Sequence, residues 1–197
     1  KKMGKPRLFF AISAGNMDSM VNHYTANKRL RSDDAYTPDG KSGMRPDYAT
    51  ITYANIIKKL YPEVPLLIGG IEASLRRFTH YDYWSDKLMP SILVDTKADL
   101  LIYGMGEKPV VELVRQIKEG KSFAEMTDIP QTSFASKEIP QHPKWKDITL
   151  VSHDVCLTDK KLYASNFKHI EQESNKYDAA RLLQKAGNRW IVVNPPY

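Results

Sequence analysis

The sequence predicts an α/β fold: a three-layer parallel sheet with helices on both faces, then a C-terminal extension of short strands and a helix. Three observations lead there. Short, mostly apolar runs recur at Arg7–Ile12 (RLFFAI), Pro65–Ile68 (PLLI) and Asp99–Tyr103 (DLLIY). Each stops at a glycine turn: Ser13-Ala14-Gly15, Gly69-Gly70 and Gly104-Met105-Gly106. Each turn precedes a segment patterned as a helix. A strand buried on both faces reads as a continuous apolar run, and strand–turn–helix units at this spacing build a Rossmann-like sheet.

Taken in order, Arg7–Ile12 is a buried strand and Met17–Ala26 a helix after its turn. Arg31–Pro46 has no periodicity and holds two prolines, two glycines and three aspartates, so it reads as a long loop. Asp47–Leu60 is a helix; Tyr53, Ile56, Ile57 and Leu60 fall at i, i+3, i+4, i+7 and form its expected buried face, and Pro62 ends it. After the strand PLLI, Glu72–Phe78 is a short helix on which Glu72 and Arg76 are spaced to pair. Thr79–Lys87 (THYDYWSDK) reads as an aromatic, charged loop and Ser91–Asp95 as another short helix. Beyond DLLIY, Val110, Leu113, Val114 and Ile117 mark an amphipathic helix closed by Gly120. After Phe123 prolines punctuate short strands at Thr132–Ala135 and Ile148–Ser152. A helix follows over Thr158–Glu173, with Tyr163, Phe167 and Ile170 on one face, and Arg189–Val193 (RWIVV) is the last strand. The expected division is residues 1–125 as the α/β domain and 126–197 as an extension and linker.

Composition narrows the function classes. No run reaches the about 18 apolar residues that a membrane span needs. The single cysteine, Cys156, excludes an internal disulfide framework and any multi-cysteine metal site made by this chain alone; a cytoplasmic setting fits. The net charge of +6 would favour an anionic partner, but the basic residues are scattered in clusters of two or three, such as Arg76-Arg77, which a solvated surface also explains.

Glycines at strand ends let the backbone turn sharply and approach a ligand, and the next helix offers free N–H groups. The third glycine of a dinucleotide fingerprint is absent, because Pro109 stands there, so a nicotinamide site is not expected. In a doubly wound sheet the three turns lie at the carboxyl edge of the strands, where ligands bind. The candidate ligand-binding or domain-facing edge is therefore Ser13, Gly15, Asn16, Asp18, Gly69, Gly70, Glu72, Arg76, Arg77, Tyr81, Tyr83, Gly104, Gly106 and Glu107. The alternative is tight turns needed for packing and an aromatic loop lying on the sheet. No metal site is expected: His23 and His80 lack H-x-x-x-H or H-E-x-x-H spacing. Cys156 has His153 three residues before it but no third member of a triad, and reads as incidental. No catalytic residue is expected in this chain.

The segments Phe10–Thr25 (FAISAGNMDSMVNHYT), Asp33–Pro38, Arg45–Asp47, Ile68–Arg77 (IGGIEASLRR), His80–Trp84, Ser91–Asp95 and Val192–Pro196 together resemble the YgiQ-type radical SAM family. The resemblance runs through nearly the whole chain. It implies an N-terminal Rossmann-like domain, similar to cobalamin-binding domains, ahead of a radical SAM barrel. Its C-x-x-x-C-x-x-C motif would hold a [4Fe–4S] cluster by three thiolates, leaving one iron for S-adenosylmethionine. That motif is not in this chain, so the chain is expected to be a fragment, preceded by further strand structure and followed by the barrel beyond Asn194-Pro195-Pro196. The D-x-H-x-x-G pattern that supplies histidine to cobalt is also missing, so cobalamin does not carry over with the resemblance. The resemblance supplies a reaction class and no substrate. It makes the chain an accessory domain that shapes or caps an active site. The second reading is a non-catalytic module for cobalamin or RNA, using the basic residues and the Tyr81–Trp84 loop for stacking.

Overall fold

The computed structural model describes residues 4–197. In chain order the strands are β1 (Phe10–Ser13), β2 (Leu66–Gly69), β3 (His80–Asp82), β4 (Lys87–Met89), β5 (Leu100–Ile102), β6 (Thr132–Ser136), β7 (Asp147–Leu150), β8 (Arg181–Ala186) and β9 (Arg189–Val193). The helices are α1 (Ser19–His23), α2 (Ala49–Leu60), α3 (Gly70–Leu75), α4 (Ile92–Thr96), α5 (Glu107–Lys118), α6 (His153–Thr158) and α7 (Lys160–Ser174). Seven strands make one sheet in the order β1-β2-β5-β6-β9-β8-β7, and β3 and β4 pair as a separate ribbon.

The first half of this sheet is the parallel arrangement the apolar runs predict, but β1 is not the buried strand expected: it lies at the sheet edge, with Phe10 and Ile12 half-buried and Ala11 and Ser13 exposed. β1, β2 and β5 run parallel, with Ile12 opposite Ile68 and Ile68 opposite Leu101. Successive residues enter opposite layers. Leu66, Ile68 and Leu101 join Ala54, Ala73 and Ile92 in one cluster; Leu67, Leu100 and Ile102 join Leu113, Met126 and Ile129 in the other. Each fully buried Leu or Ile contributes about 1.5–3 kcal/mol by leaving water. The chain thus adopts a Rossmann-like α/β fold with apolar layers on both faces.

The residues after 125 add four strands to the same sheet. β6 is antiparallel to both β5 and β9, so β9 points the same way as β5 and ends at the same edge. β8 was absent from the sequence expectation because Arg181, Gln184 and Lys185 break its apolar pattern. It forms a hairpin with β9, Ala186 opposite Arg189, through Gly187-Asn188, where Gly187 has φ of 57°. Arg181 is 1% exposed. Its Nε and Nη2 donate to the two oxygens of Asp147 at 2.7 and 2.9 Å across the parallel β7–β8 pair. Gln184 accepts from the Thr79 N–H at 2.8 Å and donates to the Val151 carbonyl at 3.0 Å.

Four other expectations are corrected. The buried face of α2 is Thr50, Ala54 and Ile57; Ile56 and Leu60 are exposed. The small residues Ala49 and Ala54 face inward because α2 packs closely on β1 and α4. On α7 the inward positions are Tyr163, Asn166, Ile170 and Glu173, and Phe167 is 61% exposed. Asn166 outcompetes Phe167 because it satisfies the backbone of Val151, accepting from its N–H and donating to its carbonyl, both at 2.8 Å. Thr79–Lys87 is no loop: His80–Asp82 pairs antiparallel with Lys87–Met89. The Glu72 carboxylate does not pair with the Arg76 guanidinium, for reasons that belong to the site.

Candidate functional site

The carboxyl ends of β1, β2 and β5 meet around a cavity of about 350 Å³. Ser13, Gly69, Gly70, Gly104 and Gly106 line it, with Ile12, Ile68, Ile102 and Val110. Gly70 has φ of 80°, and a Cβ there would sit 2.5 Å from Ser13 Oγ, so this turn needs glycine. Ser13 Oγ in turn accepts from the Gly15 N–H at 3.1 Å, which draws the first turn against the second. Gly104 has φ of 66° and donates its N–H to Ser74 Oγ at 3.1 Å. Gln131, which sequence reasoning passed over, donates from Nε2 to the carbonyls of Tyr103 (2.7 Å) and Met105 and so fixes the third turn. Ser13 is the only lining residue with a polar side chain, and no histidine lines the cavity. In the helix and turn that follow β2 and β5, Ile71 and Leu75 of α3 are 48% and 64% exposed, and Met105 is 78% exposed.

Behind this edge lies a buried polar network. Asp18 caps α1, accepting from the N–H groups of Met20 (2.9 Å) and Val21 (3.4 Å), and its other oxygen takes the Arg76 guanidinium. Glu72 accepts from the Ser19 N–H at 2.9 Å and the Thr50 N–H at 2.8 Å. One carboxylate on α3 thus satisfies orphan donors at the start of both α1 and α2. This is why it is not free for Arg76, which reaches Asp18 and the Glu72 carbonyl instead. The start of α2 needs outside help because Tyr48, its N-cap, is left-handed (φ 48°) and offers no side-chain cap.

The long loop is tied to the same network. Asp34, 1% exposed, accepts from Arg45 Nε at 2.9 Å, Arg45 Nη2 at 3.2 Å and the Tyr36 N–H at 2.9 Å. Burial pushes the Asp34 carboxyl up, but the bonds from Arg45 and the Tyr36 amide outweigh it and hold the pKa at about 2. Arg45 Nη1 also donates to the Ala14 carbonyl at 3.3 Å, beside the first glycine turn. His23 sits between two carboxylates, Nδ1 2.8 Å from Asp47 and Nε2 3.6 Å from Asp34. The Tyr24 hydroxyl donates to Asp47 at 2.8 Å and the Tyr48 hydroxyl to Asp82 at 2.7 Å. Asp34, Arg45 and Tyr48 were invisible to patterning because each lies in or beside an aperiodic segment. The sequence signals were the unusual length of that segment and, for Asp34 and Arg45, their place in two of the segments that carry the family resemblance.

The fourteen candidate residues therefore divide. Ser13, Gly69, Gly70, Gly104 and Gly106 share one cavity, and Gly15 adjoins it. Asn16 receives the Tyr36 hydroxyl, and Asp18, Glu72 and Arg76 form the network. Glu107 is exposed at the start of α5. Arg77 turns away, between the rings of Phe78 and Tyr103, and donates to the Ser74 carbonyl at 2.7 Å. Tyr81 donates to Asp86 at 2.6 Å across the ribbon, and Tyr83 donates to the Ala26 carbonyl at 2.6 Å. Trp84 packs on Tyr24 and Tyr83.

Among the described residues no group of three or more His, Cys, Asp or Glu could hold a metal ion. Cys156 is buried, burial raises its thiol pKa, and its sulfur lies beside Asn166 and the Val151 carbonyl. His153 is bonded to Thr79 at 3.1 Å instead. These donors do not fit an iron–sulfur cluster. Nor do they fit a histidine-ligated cobalamin, since His23 is locked between carboxylates and His80 lines a different cavity. Among the described residues no helix is long and apolar enough to cross a membrane.

Comparison with known proteins agrees with the resemblance. The family profile described as "Radical SAM N-terminal" matches residues 1–197. A UPF0313 protein of Bacteroides thetaiotaomicron is 58% identical over 208 residues, covering 100% of this chain and 34% of the relative. One from Porphyromonas gingivalis is 56% identical (100% and 31% coverage), and one from Geobacter sulfurreducens 47% identical (98% and 32%). The chain thus spans about a third of the length of these curated relatives. No solved structure is significantly similar to it. With a full-length profile match and relatives of this identity, the chain belongs to the radical SAM N-terminal family, as the N-terminal part of larger UPF0313 proteins.

Proposed function

We propose that this chain is the accessory N-terminal region of a cytoplasmic radical SAM enzyme, and that its glycine edge closes over an active site carried by the rest of the protein. One observation carries the reading: the cavity at the ends of β1, β2 and β5 is walled by backbone and apolar side chains, and the helix and turn that follow β2 and β5 expose Ile71, Leu75 and Met105. Exposed apolar side chains grouped in this way suit a surface that another domain covers. The [4Fe–4S] cluster and S-adenosylmethionine that the family implies belong to the remaining two thirds of such proteins, because this chain's one cysteine cannot replace three thiolates. The contribution of residues 1–125 is then to shape the site and exclude water from it. Residues 126–197 would carry the chain from β9, which ends at the same edge, toward the downstream domain.

The test uses the full-length protein, reconstituted anaerobically with iron and sulfide. The expected result is iron–sulfur absorption and reductive cleavage of S-adenosylmethionine. Met105→Asp and Leu75→Asp, at exposed positions, should leave the cluster in place yet raise solvent exchange and uncoupled cleavage. Absence of both cluster and cleavage would defeat the enzyme reading; unchanged coupling in the two variants would defeat the capping role.

A further inference from the structure

A second cavity, of about 500 Å³, lies between α2, the β3–β4 ribbon and α4. This is within the range of small-molecule sites. It shares no lining residue with the glycine edge. Ile51 and Met89 give it apolar wall, while Asn55, His80 and Asp95 bring polar groups.

Most of the charged groups around it are engaged. Asp82 accepts from the Tyr48 hydroxyl at 2.7 Å and the Ser85 N–H at 2.9 Å. Asp47 takes His23 and Tyr24, each at 2.8 Å, and Arg76 pairs with Asp18. Beside the Asn55 amide, which is exposed, His80 and Asp95 keep acceptors without a protein donor among the described residues. His80 Nδ1 lies 3.1 Å from the Phe78 carbonyl oxygen, which can only accept. Nδ1 therefore carries the proton and Nε2 keeps a free lone pair. Burial lowers the His80 pKa, which favours this neutral form. The Asp95 carboxylate makes no hydrogen bond or ion pair among the described residues, and burial raises its pKa. The half-buried carboxylate is open to solvent, with the charge of His153 partly offsetting the effect of burial, so a ligand's donor can take the place of water there. The balance of charge sets the ligand's sign. Asp47, Asp82 and Asp95 line the cavity against Arg76 and Lys87. Arg76 is already neutralised by Asp18, and Lys87 is exposed at the edge of the ribbon.

We infer that this cavity binds a small molecule carrying an ammonium or amine group on an apolar body. The amine donates to Asp95 and to His80 Nε2, and the body lies against Ile51 and Met89. The site is independent of the capping role proposed above.

Calorimetric titration of benzylamine into the full-length protein tests it, with benzoate as the control of opposite charge. Benzylamine should bind the wild type, and Asp95→Asn should weaken it by about tenfold, the loss of one charge-assisted hydrogen bond. Asn55→Trp fills the cavity from an exposed position on α2 without touching Asp95; it should abolish binding, and it serves if Asp95→Asn does not fold. Benzoate should not bind. The inference is overturned by no binding of benzylamine to the wild type, by undiminished binding to either variant, or by benzoate binding as well as the amine.

Discussion

In β2 and β5 the buried side chains are Leu66, Leu67, Ile68, Leu100, Leu101 and Ile102, and the layers above and below them are apolar. In β6 and β8, and just beyond β9, the buried positions include Thr132, Ser133, Arg181, Gln184 and Asn194. Each of these has a named partner: Ser133 Oγ donates to the Val192 carbonyl at 2.9 Å, and Asn194 Nδ2 to the Ile129 carbonyl at 2.8 Å. Both sets of positions are buried, but the first is held by non-directional apolar burial and the second partly by matched polar pairs. The two should fail differently. Apolar burial loses free energy in proportion to volume removed, whereas a matched pair fails abruptly when one member goes.

Leu101→Ala is the largest expected loss. Leu101 is fully buried on β5, between Ile68 of β2 and Ser133 of β6. Truncation should cost about 4 kcal/mol, read as a lower urea midpoint at unchanged slope. A loss under about 2 kcal/mol would mean that the layers above and below collapse onto the gap, contrary to the packing described.

The antiparallel half is sharpened by a pair of variants. Asp147→Ala strands the buried Arg181 guanidinium and should cost about 3 kcal/mol, while Arg181→Met, which removes the charge but keeps the bulk, should cost about 1 kcal/mol or less. Equal losses from the two would show that packing of the Arg181 stem, and not its charge, holds β8.

The same contrast decides what could be read from the sequence. PLLI and DLLIY revealed strands and sheet type because their burial is apolar and local in the chain. RLLQKA did not reveal β8, because the partners that allow Arg181 and Gln184 inside are Asp147, Thr79 and Val151, between 33 and 105 residues away. The glycine turns were legible, since positive φ and close approach leave a chemical signature. The Asp18–Arg76 pair and the double cap by Glu72 were legible as residues but not as partners: helical spacing suggested Glu72–Arg76, and the third dimension replaced it. Asp34 and Arg45 were legible only as members of segments shared with a family, and Tyr48 only as part of an expected helix; nothing in the pattern named their partners.

Gly70→Ala tests the tightest point of the glycine edge. The left-handed φ and the approach to Ser13 Oγ should together cost about 2 kcal/mol. Ser13→Ala in the same chain removes the contact with Oγ and should recover about half, leaving the backbone strain. No recovery in the double variant would place the whole cost in the backbone.

The loop latch should respond to acid. The Asp34 carboxyl is held at about 2 in the folded chain, below the ordinary aspartate value of 3.8. Its contribution to stability is therefore complete above about pH 4 and is lost as the pH falls through about 2. The stability gap between wild type and Asp34→Asn should be constant near neutrality and shrink between about pH 4 and pH 2. A gap that is flat through this window would separate Asp34 from Arg45.

The smallest effect expected is on α7, where helical spacing named Phe167 as core. Phe167 is 61% exposed, so Phe167→Ser should change stability by no more than about 0.5 kcal/mol. One residue earlier, Asn166 is buried and bonded to both backbone groups of Val151 and to Cys156. Asn166→Ala leaves the Val151 N–H and carbonyl without those partners and should cost about 2 kcal/mol, even though it replaces a polar residue with an apolar one. Measured together by urea unfolding, the two variants invert the usual ranking of aromatic over amide. A larger loss for Phe167→Ser than for Asn166→Ala would restore the face that periodicity predicts and rotate α7 by about a quarter turn, since neighbouring helix residues lie about 100° apart.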